Sequence, residues 1–392
     1  MTARAPLTGV VNAGSSSLKF AVYEGEASLL SGQVDGIGVR PGSRAKDSAG
    51  RPVPGPDVTR QPPATPAEAL ELLIPWLRDH LGGRTASALG HRVVHGGPRH
   101  ARPERVTAAL LEELTVLEPL APLHQPHNLA PIRALLERAP ELPQVACFDT
   151  AFHRTMPEVA QAFALPRELA EKGVRRYGFH DLSYEYIASR LPELVPQIAN
   201  GRVVVAHLGN GASLCALRAG QSVATTMGFS ALDGLPMGTR CGELDPAVVL
   251  YLQQQEGMRP AEVEDLLYRR SGMLGLSGVS SDFRDLIASP DPRARFALDV
   301  FVHRVARGIG SLVAAMGGLD GIVFTAGVGE NAAPVRAAIC DACSWLGVEV
   351  DPKLNASHDT RISREGSPIA ALVIPTDENL MIARHTRAIV AA

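Results

Sequence analysis

Apolar residues in this chain fall into two alternating patterns. Short runs of strand length, such as Leu18-Lys19-Phe20-Ala21-Val22, Val145-Ala146-Cys147-Phe148 and Val204-Val205-Ala206, are separated by stretches with apolar positions at helical spacing. Alternation of this kind predicts an α/β fold. Several helices mark their own ends. Thr65-Pro66-x-Glu68 supplies an N-cap, a proline at the first helical position and a capping-box glutamate, so a helix is expected to run to about Leu81. Asp245-Pro246 opens another, and Gly257 closes it. A long helix is expected from about Pro292 to Met316, stopped by Gly317-Gly318. Residues 40–64 are rich in Pro, Gly and Ser with little periodicity, and read as a loop or weak hairpin.

One plan occurs twice. Val10 to Val22 is an apolar strand, a small polar turn (Asn12-Ala13-Gly14-Ser15-Ser16-Ser17) and a second strand. Val204 to Leu217 repeats it half a chain later around His207-Leu208-Gly209-Asn210-Gly211. Two copies of one hairpin suggest a duplicated fold with a cleft between the copies. A third small turn, Ala326-Gly327-Val328-Gly329-Glu330-Asn331, also follows an apolar strand. Gly and Ser let backbone N–H groups approach a ligand closely, and three such turns together suggest a bound nucleotide. No G-x-x-x-x-G-K-[ST] occurs, which excludes a P-loop. Gly327-x-Gly329 lacks a third glycine, which disfavours a dinucleotide fold.

Several charged residues sit in apolar or glycine-rich surroundings. In His91-Arg92-Val93-Val94-His95, period two puts Arg92 and Val94 on one face and the two histidines on the other. An arginine beside an apolar side chain suits a small carboxylate with a methyl tail, although a surface arginine on an edge strand is the alternative. The His91/His95 spacing argues only weakly for a metal. Asp149 ends the strand at 145–148, where open α/β sheets place ligands, or else caps the segment that follows. Arg240, in Met237-Gly238-Thr239-Arg240-Cys241-Gly242, is a phosphate clamp or a solvated loop charge. His180, after Tyr177-Gly178-Phe179, is a catalytic group or a structural histidine.

Composition narrows the class. At 392 residues the chain is too long for one comfortable core, and two lobes are the natural expectation. A net charge of −3, with lysine and arginine spread along the chain, excludes the basic footprint of a nucleic-acid binder. No signal peptide is expected, and no apolar run is long enough to span a membrane. Five cysteines suggest a reducing compartment, so a cytoplasmic location is expected. Cys340 and Cys343 form a C-x-x-C with no second pair, which reads as a helix over 337–346 with thiols near one face.

Ten segments carry a resemblance that no single turn does. VVNAGSSSLKF, GHRVVHGG, PLAPLH, FDTAFH, RRYGFH, AHLGNGAS, LPMGTRCGELDP, GLSGVSSDFRD, FTAGVGEN and VIPTDENLMIAR run in order from residue 10 to residue 384. Together they resemble the acetokinase family of short-chain carboxylate kinases. The resemblance implies an α/β fold of two duplicated βββαβαβα lobes around a nucleotide cleft, as in actin, sugar kinases and heat-shock chaperone ATPases. It implies an N-terminal lobe of residues 1–150, completed by a C-terminal helix at about 377–392, and a nucleotide-binding lobe of residues 151–376. The implied activity is reversible phosphoryl transfer from ATP to acetate, giving acetyl phosphate and ADP. Alternatives are a propionate or butyrate kinase with a wider acyl pocket, or a non-catalytic ATPase switch on the same fold.

The resemblance also implies roles. Asn12 and Glu378 would help bind Mg²⁺, or Mn²⁺ in its place. Lys19, His207, Leu208, Gly209, Asn210, Gly211, Asp282, Phe283, Arg284, Gly327, Val328, Gly329, Glu330 and Asn331 would hold ATP or ADP. Arg92 would bind the carboxylate, with Val94, Leu123, Phe179 and Ala231 walling its methyl pocket. Asp149 matches the active-site acid, and His180 and Arg240 the transition-state stabilisers. A homodimer is expected, with no nucleic acid or membrane as partner. A carboxylate acceptor is already ionised near neutral pH, so no general base is required and Asp149 is expected to orient an arginine or a metal-bound water. The chain departs from the family at Ala231, often proline, and at Asp181-Leu182-Ser183-Tyr184, usually Gly-Thr-Ser-His. Gln125 replaces a frequent asparagine, and Asn379 a second acid.

Overall fold

The structure, a computed structural model, describes residues 5–14 and 16–392. Ser15 of the first glycine-serine turn and residues 1–4 lie outside the described residues. The chain divides into two compact units, residues 1–151 with 377–392 and residues 152–376.

The first unit is built on an eight-stranded sheet. Its strands are β1 (Leu7–Ala13), β2 (Ser17–Glu24), β3 (Ala27–Asp35), β4 (Gly42–Asp47), β5 (Pro52–Val53), β6 (Ala88–Val93), β7 (Glu104–Arg105) and β8 (Gln144–Phe148). Their spatial order is β5-β4-β3-β2-β1-β6-β8-β7. Antiparallel pairing joins β1, β2 and β3, whereas β6 runs parallel to β1 and β8 parallel to β6. The proline-rich stretch at 40–64 forms the β4–β5 hairpin on the outer edge, where Pro52 at the start of a two-residue strand is tolerated. The helix Pro66–His80 begins as its sequence predicts. Thr65 accepts from the Glu68 N–H, and Glu68 reaches back to the N–H of Ala64. It buries Ala69, Leu70 and Leu73 against Val11, Leu18 and Phe20. Full burial of such a side chain contributes about 1.5–3 kcal/mol.

The second unit repeats the plan with five strands, β9 (Arg202–Leu208), β10 (Ala212–Arg218), β11 (Gln221–Thr225), β12 (Gly321–Thr325) and β13 (Ala370–Val373). Their order, β11-β10-β9-β12-β13, has the same pattern of antiparallel hairpins followed by parallel neighbours. The echo read at 10–22 and 204–217 is therefore the β1–β2 hairpin and its counterpart β9–β10. The helix Pro292–Met316 faces the core with Ala294, Ala297, Phe301, Val305, Ile309, Leu312 and Met316, a three-and-four spacing, and ends at Gly317 with φ +71°.

Each unit takes one helix from beyond its own run of strands. The helix Asp181–Leu194 follows β8 in the chain, yet packs Tyr184, Ile187 and Leu191 against Val203, Val205 and Leu372 of the second unit. The helix Glu378–Ala391 follows β13, yet belongs to the first unit. Its seat on β6 depends on Gly90, because a Cβ there would lie 2.2 Å from Thr386 Oγ1 and 2.5 Å from Ile382 Cγ2. The third small turn, at 326–331, is a correction to the sequence reading. It folds as a short helix, Ala326–Asn331, starting directly from the end of β12. The C-x-x-C segment is α-helical to Ala342 and continues as a 3₁₀ turn at Ser344–Leu346, and both thiols are buried; burial pushes Cys340 up to about 12 and Cys343 to about 11.

His91, on β6, and His95 are buried, and burial lowers each to about 4. Unfolded histidine titrates near 6.5, so between pH 6.5 and 4 the unfolded chain binds more protons than the folded one. Stability from keeping these rings neutral is full above pH 6.5 and is lost as pH falls toward 4, by roughly 3 kcal/mol per histidine. Denaturant midpoints measured across this window should fall steeply with acid, and His91→Gln should flatten that slope.

Candidate active site

In the first unit, the chemistry collects where the strands β1, β6 and β8 end. Asn12, near the end of β1, pairs across the hairpin with Lys19 on β2. Arg92, next to last on β6, donates from Nη2 to Asp149 Oδ2 at 2.5 Å, just past the end of β8. Asp149 is almost fully buried, whereas the Arg92 side chain keeps 18% of its surface exposed. The acid is thus the buried anchor and the guanidinium the accessible partner. Glu378 opens the last helix, whose N-cap is Asp377. Desolvation and the neighbouring Asp149 push the Glu378 carboxyl above its ordinary range, against the opposing pull of Arg92 and Lys19. With Asp377, which also raises it, these are three acids and two cations in one electrostatic neighbourhood.

Two buried amides hold this end of the sheet in place. Asn128 accepts from the Val94 N–H at 2.8 Å and donates to the carbonyl of Ala13, so it ties the end of β1 to the end of β6. Gln125 accepts from the His95 N–H and donates to the His95 carbonyl. Val94 is buried, and Leu123 is half-buried in the turn before the helix Gln125–Arg138. Sequence reading noted Gln125 only as a departure and missed Asn128. Asparagine and glutamine are ordinary loop residues, and nothing local shows that a backbone group 34 positions away needs a partner.

The second unit contributes a different set. His180 stands before the helix Asp181–Leu194 in the left-handed region, φ +65°. That conformation is uncommon for a side chain with a Cβ and is held from below. Asp181 accepts from the His153 N–H, and its other oxygen lies 3.1 Å from His153 Nε2. Gly178 lets the His153 ring sit under the loop, since a Cβ there would be 2.2 Å from His153 Cδ2. The His180 ring stacks on His207 at 4.1 Å between centroids, and its Nδ1 faces Ser213 Oγ at 2.8 Å. Arg240 donates from Nη1 to the Ala231 carbonyl at 2.7 Å. A Cβ placed on Gly211 would lie 3.1 Å from His180 Nε2 and 3.4 Å from Arg240 Nη2. The missing side chain at 211 thus leaves a niche into which a histidine nitrogen and a guanidinium both point.

Beside this niche lies a cavity of about 660 Å³. Gly209, Asn210, Asp282, Phe283, Arg284, Gly327, Val328 and Asn331 line it, as do Ser281, Ile287, Ala332 and Pro334. Gly327 faces open space, which keeps backbone accessible at the start of the short helix Ala326–Asn331. Other residues singled out in the sequence have supporting positions. Leu208 is buried in β9, and Gly329 packs against Phe324. Glu330 accepts from the N–H groups of Ala326 and Thr376, which caps its own helix. Phe179 is buried, and Ala231 is half-buried in the loop that Arg240 braces. Lys19 lies in the first unit, opposite Asn12 and within the electrostatic reach of Glu378.

The donor chemistry of the first unit fits a hard divalent cation. Asn12 and Glu378 offer oxygen ligands, and burial first, then the neighbouring Asp149, raises the Glu378 carboxyl. Among the described residues no group of three or more His, Cys, Asp or Glu forms a metal cage. Mg²⁺ commonly takes one or two carboxylates and completes its shell with water and phosphate oxygens.

Comparison with known proteins adds a family. A family model described as "Acetokinase family" matches residues 7–384. An acetate kinase of Nitrobacter hamburgensis is 55% identical over 382 residues, covering 96% of this chain and 94% of the relative. One from Rhodopseudomonas palustris is 53% identical over 390 residues, covering 96% of each. Among solved structures, Porphyromonas gingivalis acetate kinase is 35% identical with a TM-score of 0.87, covering 98% of this chain and 100% of the other. A propionate kinase from Francisella tularensis is 36% identical with a TM-score of 0.90, covering 98% and 99%.

Proposed function

This chain belongs to the acetokinase family, and we propose that its residues carry out phosphoryl transfer by aligning charge rather than by covalent or acid–base chemistry. The enzyme phosphorylates acetate at the expense of ATP. The observation that carries the mechanistic reading is the niche at Gly211, where His180 Nε2 and Arg240 converge. The same strand-to-strand turn supplies Gly209 and Asn210 to the cavity. The cavity holds the nucleotide, and the niche takes the phosphoryl group in transit. Its charge is met there by the Arg240 guanidinium and by an N–H from His180. Such a transfer needs positioned cations more than it needs a base.

Arg92 takes the carboxylate, with Val94, Leu123, Phe179 and Ala231 about its methyl group. The acceptor is already an anion near pH 7, because free carboxyls titrate near 4. Asp149 therefore has no proton to remove, and its 2.5 Å bond to Arg92 makes it the group that aims the guanidinium. Asn12 and Glu378 would hold Mg²⁺, or Mn²⁺ on the same oxygens. Bound there, the cation would neutralise charge on the phosphate oxygens.

The family resemblance points to a homodimer, and one surface of this chain supports it. The helix Pro246–Gln254 buries none of its residues, although it carries Val248, Val249, Leu250, Tyr251 and Leu252. Leu250 and Tyr251 are each 53% exposed. A second copy of the chain would cover them. None of the five cysteines forms a disulfide, which supports the reducing cytoplasm as its location.

ADP formation should depend on acetate, and hydroxylamine should trap the acyl phosphate as a hydroxamate. Arg92→Ala and Arg240→Ala should each lower that rate on the order of 10³-fold while the variants still melt cooperatively. ATP hydrolysis indifferent to acetate would instead support a non-catalytic switch. Alanine at 231 widens the acyl pocket, and one methylene is worth only about 1–3 kcal/mol of discrimination. Propionate should accordingly be used well, with butyrate behind; a steep fall in kcat/KM from acetate to propionate would refute the wider pocket. In light scattering, Leu250→Asp should shift the particle from two chains toward one.

A further inference from the structure

We propose that Tyr184 is a positioning residue for His180. Acting through Ser213, it holds the imidazole in the tautomer that carries its proton on Nε2, the nitrogen turned toward Gly211. The proposal deepens the reading that His180 donates to the phosphoryl group, and it rests on that reading.

Three groups stand in line. His180 Nδ1 lies 2.8 Å from Ser213 Oγ, and Ser213 Oγ is in close hydrogen-bond contact with the Tyr184 hydroxyl. Ser213 sits on β10 and Tyr184 on the helix that begins after His180, four residues on. Both are fully buried, so bulk water does not compete for the chain of bonds. A serine hydroxyl has one proton to give. If it receives a bond from Tyr184, its own proton is left free for His180 Nδ1, the nitrogen acceptor 2.8 Å away. If it receives one from Nδ1–H, the proton is directed to the phenol oxygen. The two arrangements leave opposite faces of the imidazole protonated.

Acidity decides between them. A phenol, with a pKa near 10, is far more acidic than an aliphatic alcohol, so it is the stronger donor and the weaker acceptor. The favoured direction is Tyr184 O–H to Ser213 Oγ, then Ser213 O–H to Nδ1. Nδ1 is then an acceptor and Nε2 bears the hydrogen. The His207 ring is stacked on His180 at 14° between planes and 4.1 Å between centroids, which holds the plane of the imidazole. The His207 Nδ1 meets a hydroxyl of its own, Ser183 Oγ, at 2.8 Å. An anionic phosphoryl oxygen beside Gly211 needs an N–H, and the opposite tautomer would present a lone pair to it. The family run usually places histidine at position 184. A neutral imidazole either donates or accepts according to its own tautomer, whereas a phenol biases the relay in one direction.

Nitrogen-15 NMR of histidine-labelled enzyme at mildly alkaline pH should show His180 with Nδ1 bare and Nε2 protonated. In Tyr184→Phe, which keeps the buried ring, the two tautomers should mix. That variant should lose about tenfold in kcat with KM for ATP and acetate nearly unchanged, the scale of one buried hydrogen bond. Ser213→Ala should lose at least as much. In the Ser213→Ala background, Tyr184→Phe should have no further effect, because the connection is already cut. A wild-type His180 protonated on Nδ1, or penalties that multiply in the double variant, would overturn the proposal. The spectrum is read without turnover, so a failure here is separable from a failure of the acetate-dependent assay.

Discussion

An arginine can be held still while part of it stays accessible, and the Arg92–Asp149 pair shows how the first unit does so. Asp149 is buried past the end of β8, and Arg92 is the half of the pair that keeps surface. A fully buried pair would spend its charge on itself, and a fully exposed arginine would wander. Parallel pairing of β6 with β8, Arg92 opposite Cys147 and Val93 opposite Phe148, brings the two side chains to one end of the sheet. That end in turn depends on Asn128, which joins the last residues of β1 and β6 through their backbones. The position of a single guanidinium thus rests on strand register and on one buried amide.

Arg240 meets the same requirement by another route. One of its bonds is to a carbonyl, that of Ala231. Rigidity comes from the loop around it. Arg176 donates to the carbonyls of Thr226 and Met227, and Gly272, at φ +60°, fits beneath residues 237–240 where any Cβ would collide with their backbone. His180 is fixed more elaborately, by His153 and Asp181 below, His207 on its face and Ser213 at Nδ1. Around the His180 ring these are a hydroxyl and an imidazole, while the Asp181 carboxylate turns to His153.

Much of this was legible beforehand, for identifiable reasons. The capping box at Thr65, the glycine stop at 317 and the three-and-four spacing through 292–316 act within one or two turns of helix, so local sequence specifies them. The hairpin echo was readable because a duplicated fold repeats its strand-turn-strand pattern. The short helix at 326–331 was misread as a turn because glycines mark turns and helix starts alike. Gln125, Asn128, Ser213 and Tyr184 were not recognised as supports, since each acts on a partner distant in the chain or on another fold element.

Sequence alone determined the alternating α/β plan, the helix ends, the family and the residue types needed for phosphoryl chemistry. These follow from local propensity, periodicity and ordered motifs. Only the tertiary structure decided that Tyr184, Ile187 and Leu191 face the second sheet and that Gly90 seats helix Glu378–Ala391 on β6. It also decided that Asp149 bonds Arg92, that His180 Nε2 and Arg240 flank Gly211, and that the Tyr184 hydroxyl meets Ser213 beside His180. Those outcomes depend on strand register and on buried hydrogen bonds between distant residues, and such pairings form only when the chain has packed.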